Sequence, residues 1–352
     1  MAATEAEVVP APSTDRPASS DPITEILLRE REDARPHKAL FGVGLAGVLV
    51  FGPLVWTAAA NGKFDWLMAV WLAVAVVTTV LVLRGRRLGR WLTAGAARMH
   101  AEPWRPVTAR VVTGSWGTTT VEIEEAGTFT ALRVAGLSKA HHTVIARTGK
   151  VWVVGPTEGW AVVRIDGSHE PWPARVPARP PAPGAEFFPV DSAATTRLWA
   201  RKMCARVCAP TWPMWWITGA TCAFTLTGTS SWAKTAVGLA AWTLICGEYL
   251  YANRRRLIDL RLPRLVEAGE WTRTEATLAP WEVLPEGAVA AKATVRLDDG
   301  TALVALLPNA SVDVLGAVSD TGTLWFAGKP EAGKTMAAGF PGYPLLAVAR
   351  LR

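Results

Sequence analysis

Residues 148–159 read TGKVWVVGPTEG, and residues 321–333 read TGTLWFAGKPEAG. Each is a short run of β-forming residues with a Trp at its centre, opened by Thr-Gly and closed by a Gly-rich turn. The likeness extends outward. TALRVA at Thr130–Ala135 answers TALVAL at Thr301–Leu306. Further upstream, a basic segment ending in Trp occurs twice, as RRLGRWLTAGAARMHAEPW (Arg86–Trp104) and RRLIDLRLPRLVEAGEW (Arg255–Trp271). The landmarks keep their order at an offset of about 170 residues, which reads as a tandem duplication with units near 22–170 and 190–352.

The stretches around these landmarks read as β. In the first unit they are Val107–Val112, Thr119–Glu124, Thr128–Ala135, His142–Arg147, Lys150–Gly155 and Trp160–Ile165. The second unit offers Thr272–Leu278, Ala291–Leu297, Thr301–Leu306, Ser311–Ala317, Thr323–Ala327 and Leu345–Arg350, with a hairpin turn at Asp298-Asp299-Gly300. Five or six short strands suit a small barrel of SH3-like or OB-like size. Each unit also has a lead-in helix that starts after an Asp suited to N-capping, Asp21 before Pro22–His37 and Asp191 before Ser192–Cys208.

Composition adds a second theme. Of 352 residues, 50% are hydrophobic, 19% are charged and 18 are Trp. Disordered, collagen-like and disulfide-stapled classes are excluded. Uncharged runs at about 39–60 and 66–83, and at about 210–230 and 231–252, have the length of membrane spans. Arginines flank them: Arg84, Arg86, Arg87 and Arg90 after one pair, Arg254, Arg255 and Arg256 after the other. By the positive-inside rule both hairpins begin and end in the cytoplasm.

The expected fold class is thus a multi-pass membrane α protein, with two transmembrane helical hairpins and two small all-β cytoplasmic domains. Its parts are a disordered tail (1–21), a juxtamembrane helix and first hairpin (22–103) and a first β domain (104–170). A Pro-rich linker (171–190), a second helix and hairpin (191–270) and a second β domain (271–352) follow. The expected location is a bacterial-type inner (plasma) membrane, with both termini cytoplasmic. The net charge of +7 then reads as a topology signal with attraction to membrane lipid. Nucleic acid is not an expected partner, because no run in the β regions concentrates basic residues.

Few motifs carry chemistry. Gly328-Lys-Pro-Glu-Ala-Gly333-Lys334-Thr335 matches a phosphate-binding loop, which needs a long helix after the Lys-Thr pair. Gly339, Pro341, Gly342 and Pro344 follow within a few residues, so the match is read as a false positive and no cofactor is expected. The five histidines, among them His141-His142, carry no metal-ligand spacing, and Cys204 and Cys208 lack two further ligands. No catalytic residue and no metal site is assigned. Trp152 and Trp325 hold equivalent strand positions, either as a repeated core residue or as exposed aromatics that grip a partner. The sequence therefore points to a non-enzymatic scaffold or adaptor that presents two β domains to a protein partner or to further copies of itself. A small-solute transporter or channel component with gating domains is the alternative, and a nucleotide sensor ranks third.

Overall fold

Burial at every second residue along Val289–Arg296 marks a strand with one face in a core and one in solvent. In the computed structural model this strand is one of twelve among the described residues, which close into two barrels. The structure describes residues 10–33, 93–115, 118–178, 191–208, 254–283 and 289–352, with residues 76, 80, 83, 243, 247 and 251. The chain divides into two compact units, residues 1–34, 90–204 and 258–352 in one and residues 35–89 and 205–257 in the other. Both barrels belong to the first.

The first barrel consists of β1 (Arg105–Ser115), β2 (Thr118–Glu125), β3 (Thr128–Ala135), β4 (Lys150–Thr157), β5 (Trp160–Ile165) and β6 (Pro171–Arg175), closed in the order β1-β2-β3-β6-β5-β4. The second consists of β7 (Trp271–Leu278), β8 (Val289–Arg296), β9 (Ala302–Ala310), β10 (Thr323–Ala327), β11 (Thr335–Phe340) and β12 (Leu345–Leu351). It closes as β7-β8-β9-β12-β11-β10, the same topology. In each barrel a helix links the third strand to the fourth. Two lead-in helices stand outside the barrels. In chain order these four helices are α1 (Pro22–Asp33), α2 (Lys139–Thr148), α3 (Ser192–Cys208) and α4 (Val312–Thr321); a short helix at Leu262–Leu265 and helical residues 93–99 are also described.

This architecture corrects the expected fold class. The described chain is two closed six-stranded β-barrels rather than a multi-pass membrane α protein. Among the described residues no helix is long and apolar enough to cross a membrane. The inner-membrane location is corrected on the same finding. The four expected spans, at about 39–60, 66–83, 210–230 and 231–252, lie outside the described residues. Part of the apolar content that the composition counted fills barrel interiors. Val151–Val154, Ala161–Ile165 and Leu345–Ala349 are buried without a break, on both faces of their strands. Such strands read as continuous apolar runs.

Two further elements differ from expectation. Lys139–Thr148 and Val312–Thr321, which overlap stretches read as strands, are helices. Ser311 Oγ accepts from Val314 N at 3.3 Å, and Ser138 N donates to His141 Nδ1 at 3.0 Å. At the far ends Gly149 (φ 62°) and Gly322 (φ 61°) adopt the left-handed conformation that closes a helix. These end signals outweighed the β-branched interior.

The other difference is β6, formed by residues 171–175 at the start of the Pro-rich stretch. Val176 N donates to Gly159 O on the β5 side. Alternate residues of a strand point their N–H groups to opposite neighbours. Positions 171 and 173 therefore face β3, whose pairing with β6 begins only at Ala174. The missing N–H groups of Pro171 and Pro173 cost no ladder bond.

Candidate functional site

A set of ionisable side chains, of which Arg164, His169 and Asp313 are buried, lies where α1, the first barrel and α4 of the second barrel meet. Asp21 caps α1, accepting from Ile23 N at 3.1 Å and from Thr24 Oγ1 at 2.7 Å. Its Oδ2 also takes Arg164 Nη1 of β5 at 3.0 Å. The turn after β5 carries Ser168 and His169 against α4. Ser168 Oγ donates to Asp313 Oδ2 at 2.5 Å, and His169 N donates to Asp313 Oδ1 at 2.6 Å. The imidazole reaches two carboxylates, Nδ1 at 3.3 Å from Asp313 Oδ1 and Nε2 at 2.9 Å from Asp320 Oδ2. Arg164 Nε holds the turn from behind, donating to Ser168 O at 2.6 Å.

Burial alone would depress the His169 pKa. Hydrogen bonds to Asp313 and Asp320 outweigh it and raise the value to about 9. Burial pushes Asp21 upward, but His169, Thr24 and Arg164 together hold it below the ordinary carboxylate range. Burial presses the Arg164 guanidinium below its usual value against the pull of Asp21 and Asp313. The set is two cations enclosed by three carboxylates.

Ser168, His169 and Asp313 are the residue types of a nucleophilic triad, and their geometry is not that of one. The hydroxyl donates to the aspartate, not to the imidazole. The imidazole holds its proton well above neutrality, so it is no general base there. Ser168 and His169 are each 1% exposed, which leaves no path for a substrate. Among the described residues no group of three His, Cys, Asp or Glu could hold a metal ion. What the arrangement can do is lock the two barrels at one angle.

The opposite side of the junction uses equivalent backbone positions with different chemistry. Arg147 of α2 donates from Nη2 to Gly342 O, in the turn after β11, at 3.0 Å, and stacks 4.9 Å from the Tyr343 ring centre. Gly342 N donates to Thr196 Oγ1 of α3 at 2.8 Å, and Thr195 Oγ1 meets Thr143 Oγ1 of α2 at 2.8 Å. His141 lies edge-on to Trp172 and Trp199, with ring centres 4.9 and 5.2 Å away. His142 points into the first barrel, its Nε2 2.6 Å from Thr119 Oγ1. Burial, then Lys202 and Lys139, push its pKa down to about 4. Each lead-in helix is thus wedged between both barrels.

The residues singled out in the sequence fall elsewhere. Trp152 is 4% exposed, packed with Met99, Trp104, Val154 and Val162, and Lys150 Nζ lies 4.2 Å from its ring centre. Trp325 is half-buried against the second barrel's core, in register with Arg273 and Gly339. Gly328, Gly333 and Lys334 lie on the connection from β10 to β11 and Thr335 opens β11, so a strand stands where a phosphate loop requires a helix. The loop amides are engaged in the barrel: Gly328 N with Glu270 O at 2.8 Å and Gly333 N with Leu351 O at 2.9 Å. Lys334 Nζ pairs with Glu331 at 2.8 Å.

In comparisons with family models, curated proteins and solved structures, nothing matches this chain. Sequence reasoning missed Asp21 as an ion-pair partner, and missed Arg164, His169, Asp313 and Asp320. They are scattered over 300 positions and meet only through the packing of one repeat on the other. One signal was available: where the first barrel's helix has Ala140 and Arg147, the second has Asp313 and Asp320, an acidic replacement at two apposed positions.

Proposed function

We propose that the protein is a non-catalytic scaffold whose two barrels act as one rigid platform for a protein partner. The observation that carries this reading is the junction itself. The groups best suited to chemistry, buried Arg164, His169 and Asp313 with Asp21 and Asp320 at their margin, satisfy one another and are spent on holding one barrel against the other. A buried charge network is a costly way to gain stability and a good way to specify one geometry. Fixed spacing between two modules matters when a partner touches both, because linkage then turns the second contact into an intramolecular one.

The test is crosslinking and recovery of partners from cells with the native chain and with Asp313→Ala/Asp320→Ala. The scaffold reading expects the variant to keep its barrels, by far-ultraviolet dichroism, and to lose the crosslinked partner. Turnover by the purified protein that disappears on replacing one polar residue would overturn it. So would full partner recovery by a variant whose barrels are folded but unlocked.

A further inference from the structure

The outward face of β8, β9 and β12 gathers cations that form no ion pair within the described chain. Lys292, Thr294 and Arg296 project from β8, Val304 and Leu306 from β9, and Arg350 from β12, with Arg352 just beyond. Register sets their neighbours. Leu306 lies between Lys292 and Arg350, and Ala302 lies beside Arg296. Val304 is opposite Thr294, and exchanges both backbone hydrogen bonds with Arg352 at 3.0 and 2.9 Å. Cations therefore flank a central strip made of Ala302, Val304 and Leu306, of which Val304 is 40% exposed.

Neighbouring strands are about 4.8 Å apart and alternate residues about 6.8 Å, so the face measures roughly 10 by 13 Å. None of Lys292, Arg296, Arg350 and Arg352 makes an ion pair within the described chain. Carboxylates at the margin include Glu275, in register with Arg296, and Asp298 and Asp299 in the β8–β9 turn. Asp299 is occupied by Thr301 N at 2.8 Å.

Building on the scaffold reading, we propose that this face is the docking surface for an acidic, amphipathic segment of the partner protein. Four like charges held together on a rigid sheet repel one another, and an anionic ligand relieves that repulsion. The apolar strip between them chooses the kind of anion. Carboxylate side chains reach the flanking Lys and Arg while an interleaved aliphatic side chain covers Val304 and Leu306. A single-stranded nucleic acid would want an aromatic platform for its bases, and no exposed aromatic side chain stands on this face. The barrel is closed along these strands, so the segment lies across the sheet through its side chains instead of extending it.

Fluorescence anisotropy on the full chain tests this with three labelled probes: a short peptide alternating Glu and Leu, its Glu and Ser counterpart, and oligothymidylate. The expected result is binding of the Glu-Leu peptide that weakens about tenfold or more in Lys292→Ala/Arg350→Ala and in Val304→Ser. Arg133→Ala, on the first barrel, should leave it unchanged. Peptide affinity equal in the native chain and in the face variants, confirmed folded by dichroism, would overturn the proposal. Equal binding of the Glu-Ser peptide, tighter binding of oligothymidylate, or no peptide binding would do the same. These outcomes concern the face alone; the scaffold reading stands or falls on the Asp313→Ala/Asp320→Ala comparison.

Discussion

Arg147 and Asp320 occupy the same position of the two barrel helices, each two residues before a left-handed glycine cap, and each reaches a turn of the other barrel. One is a base that binds a carbonyl oxygen and an aromatic face. The other is an acid that binds an imidazole. The two halves of the junction share a backbone plan and differ in their response to pH.

The acid half should weaken as pH rises. An ordinary His loses its proton near 6.5, and His169 keeps it to about 9 when folded. Between those values the folded chain holds a proton that the unfolded chain has released. The stabilisation is full below 6.5 and is lost as pH climbs through 9. The urea midpoint should fall between pH 7 and 9.5, and the fall should shrink in His169→Gln. A native midpoint that stays flat over that window would count against the assignment.

His142 should act in the opposite window. Its folded pKa is about 4, so between pH 6.5 and 4 the unfolded chain takes up a proton that the buried ring refuses. Stability should drop as pH falls through this range and level off below it. Imidazole resonances should report a neutral His142 at pH 5. A ring protonated at that pH in the folded protein would show that burial does not control it.

Gly316 is where α1 presses on α4. A Cβ there would stand 2.6 Å from Ile23 Cγ2 and 3.1 Å from His169 Nδ1. Gly316→Val should destabilise by roughly 1–3 kcal/mol through overpacking. The equivalent residue on the other helix is Thr143, so Thr143→Val, which removes the hydroxyl contact to Thr195 without adding bulk, should cost only about 1 kcal/mol. Calorimetry of the two variants gives the ranking, and the reverse order would mean that α1 and α4 are not in tight contact.

Gly339 in β11 has φ 140°, and a Cβ there would overlap the Leu345 carbonyl oxygen. Relief requires moving the backbone of the β11–β12 pair. Gly339→Ala should cost about 3 kcal/mol or more, while Gly333→Ala, in open space at φ 83°, should cost less because only backbone strain opposes it. Thermal midpoints of the pair decide the point, and equal losses would contradict it.

The strands around Trp152 and Trp325 were legible because their pattern repeats, and the lead-in helices because Asp21 and Asp191 announce them. Helices α2 and α4 were hidden by the β-branched Val144 and Ile145, and by Val312, Val314 and Val318, although Ser138, Gly149, Ser311 and Gly322 bracket them. The membrane reading rested on the uncharged runs at about 39–60, 66–83, 210–230 and 231–252, which lie outside the described barrels. The junction cluster and the basic face were out of reach for a different reason. His169 meets Asp313 only when one barrel packs on the other, and Lys292 and Arg350 flank Leu306 only when the second barrel has closed; no local pattern encodes either.

The wedged lead-in helices bear on how such a molecule could have arisen. A contact in which each of two like bodies gives the other the same turn and the same helix is the isologous contact of a homodimer. Here the two partners are halves of one polypeptide. Strict two-fold symmetry would oblige both halves to carry the same side chain at the position of Arg147 and Asp320. Covalent fusion removes that obligation, and the opposite charges at this position show the symmetry already broken.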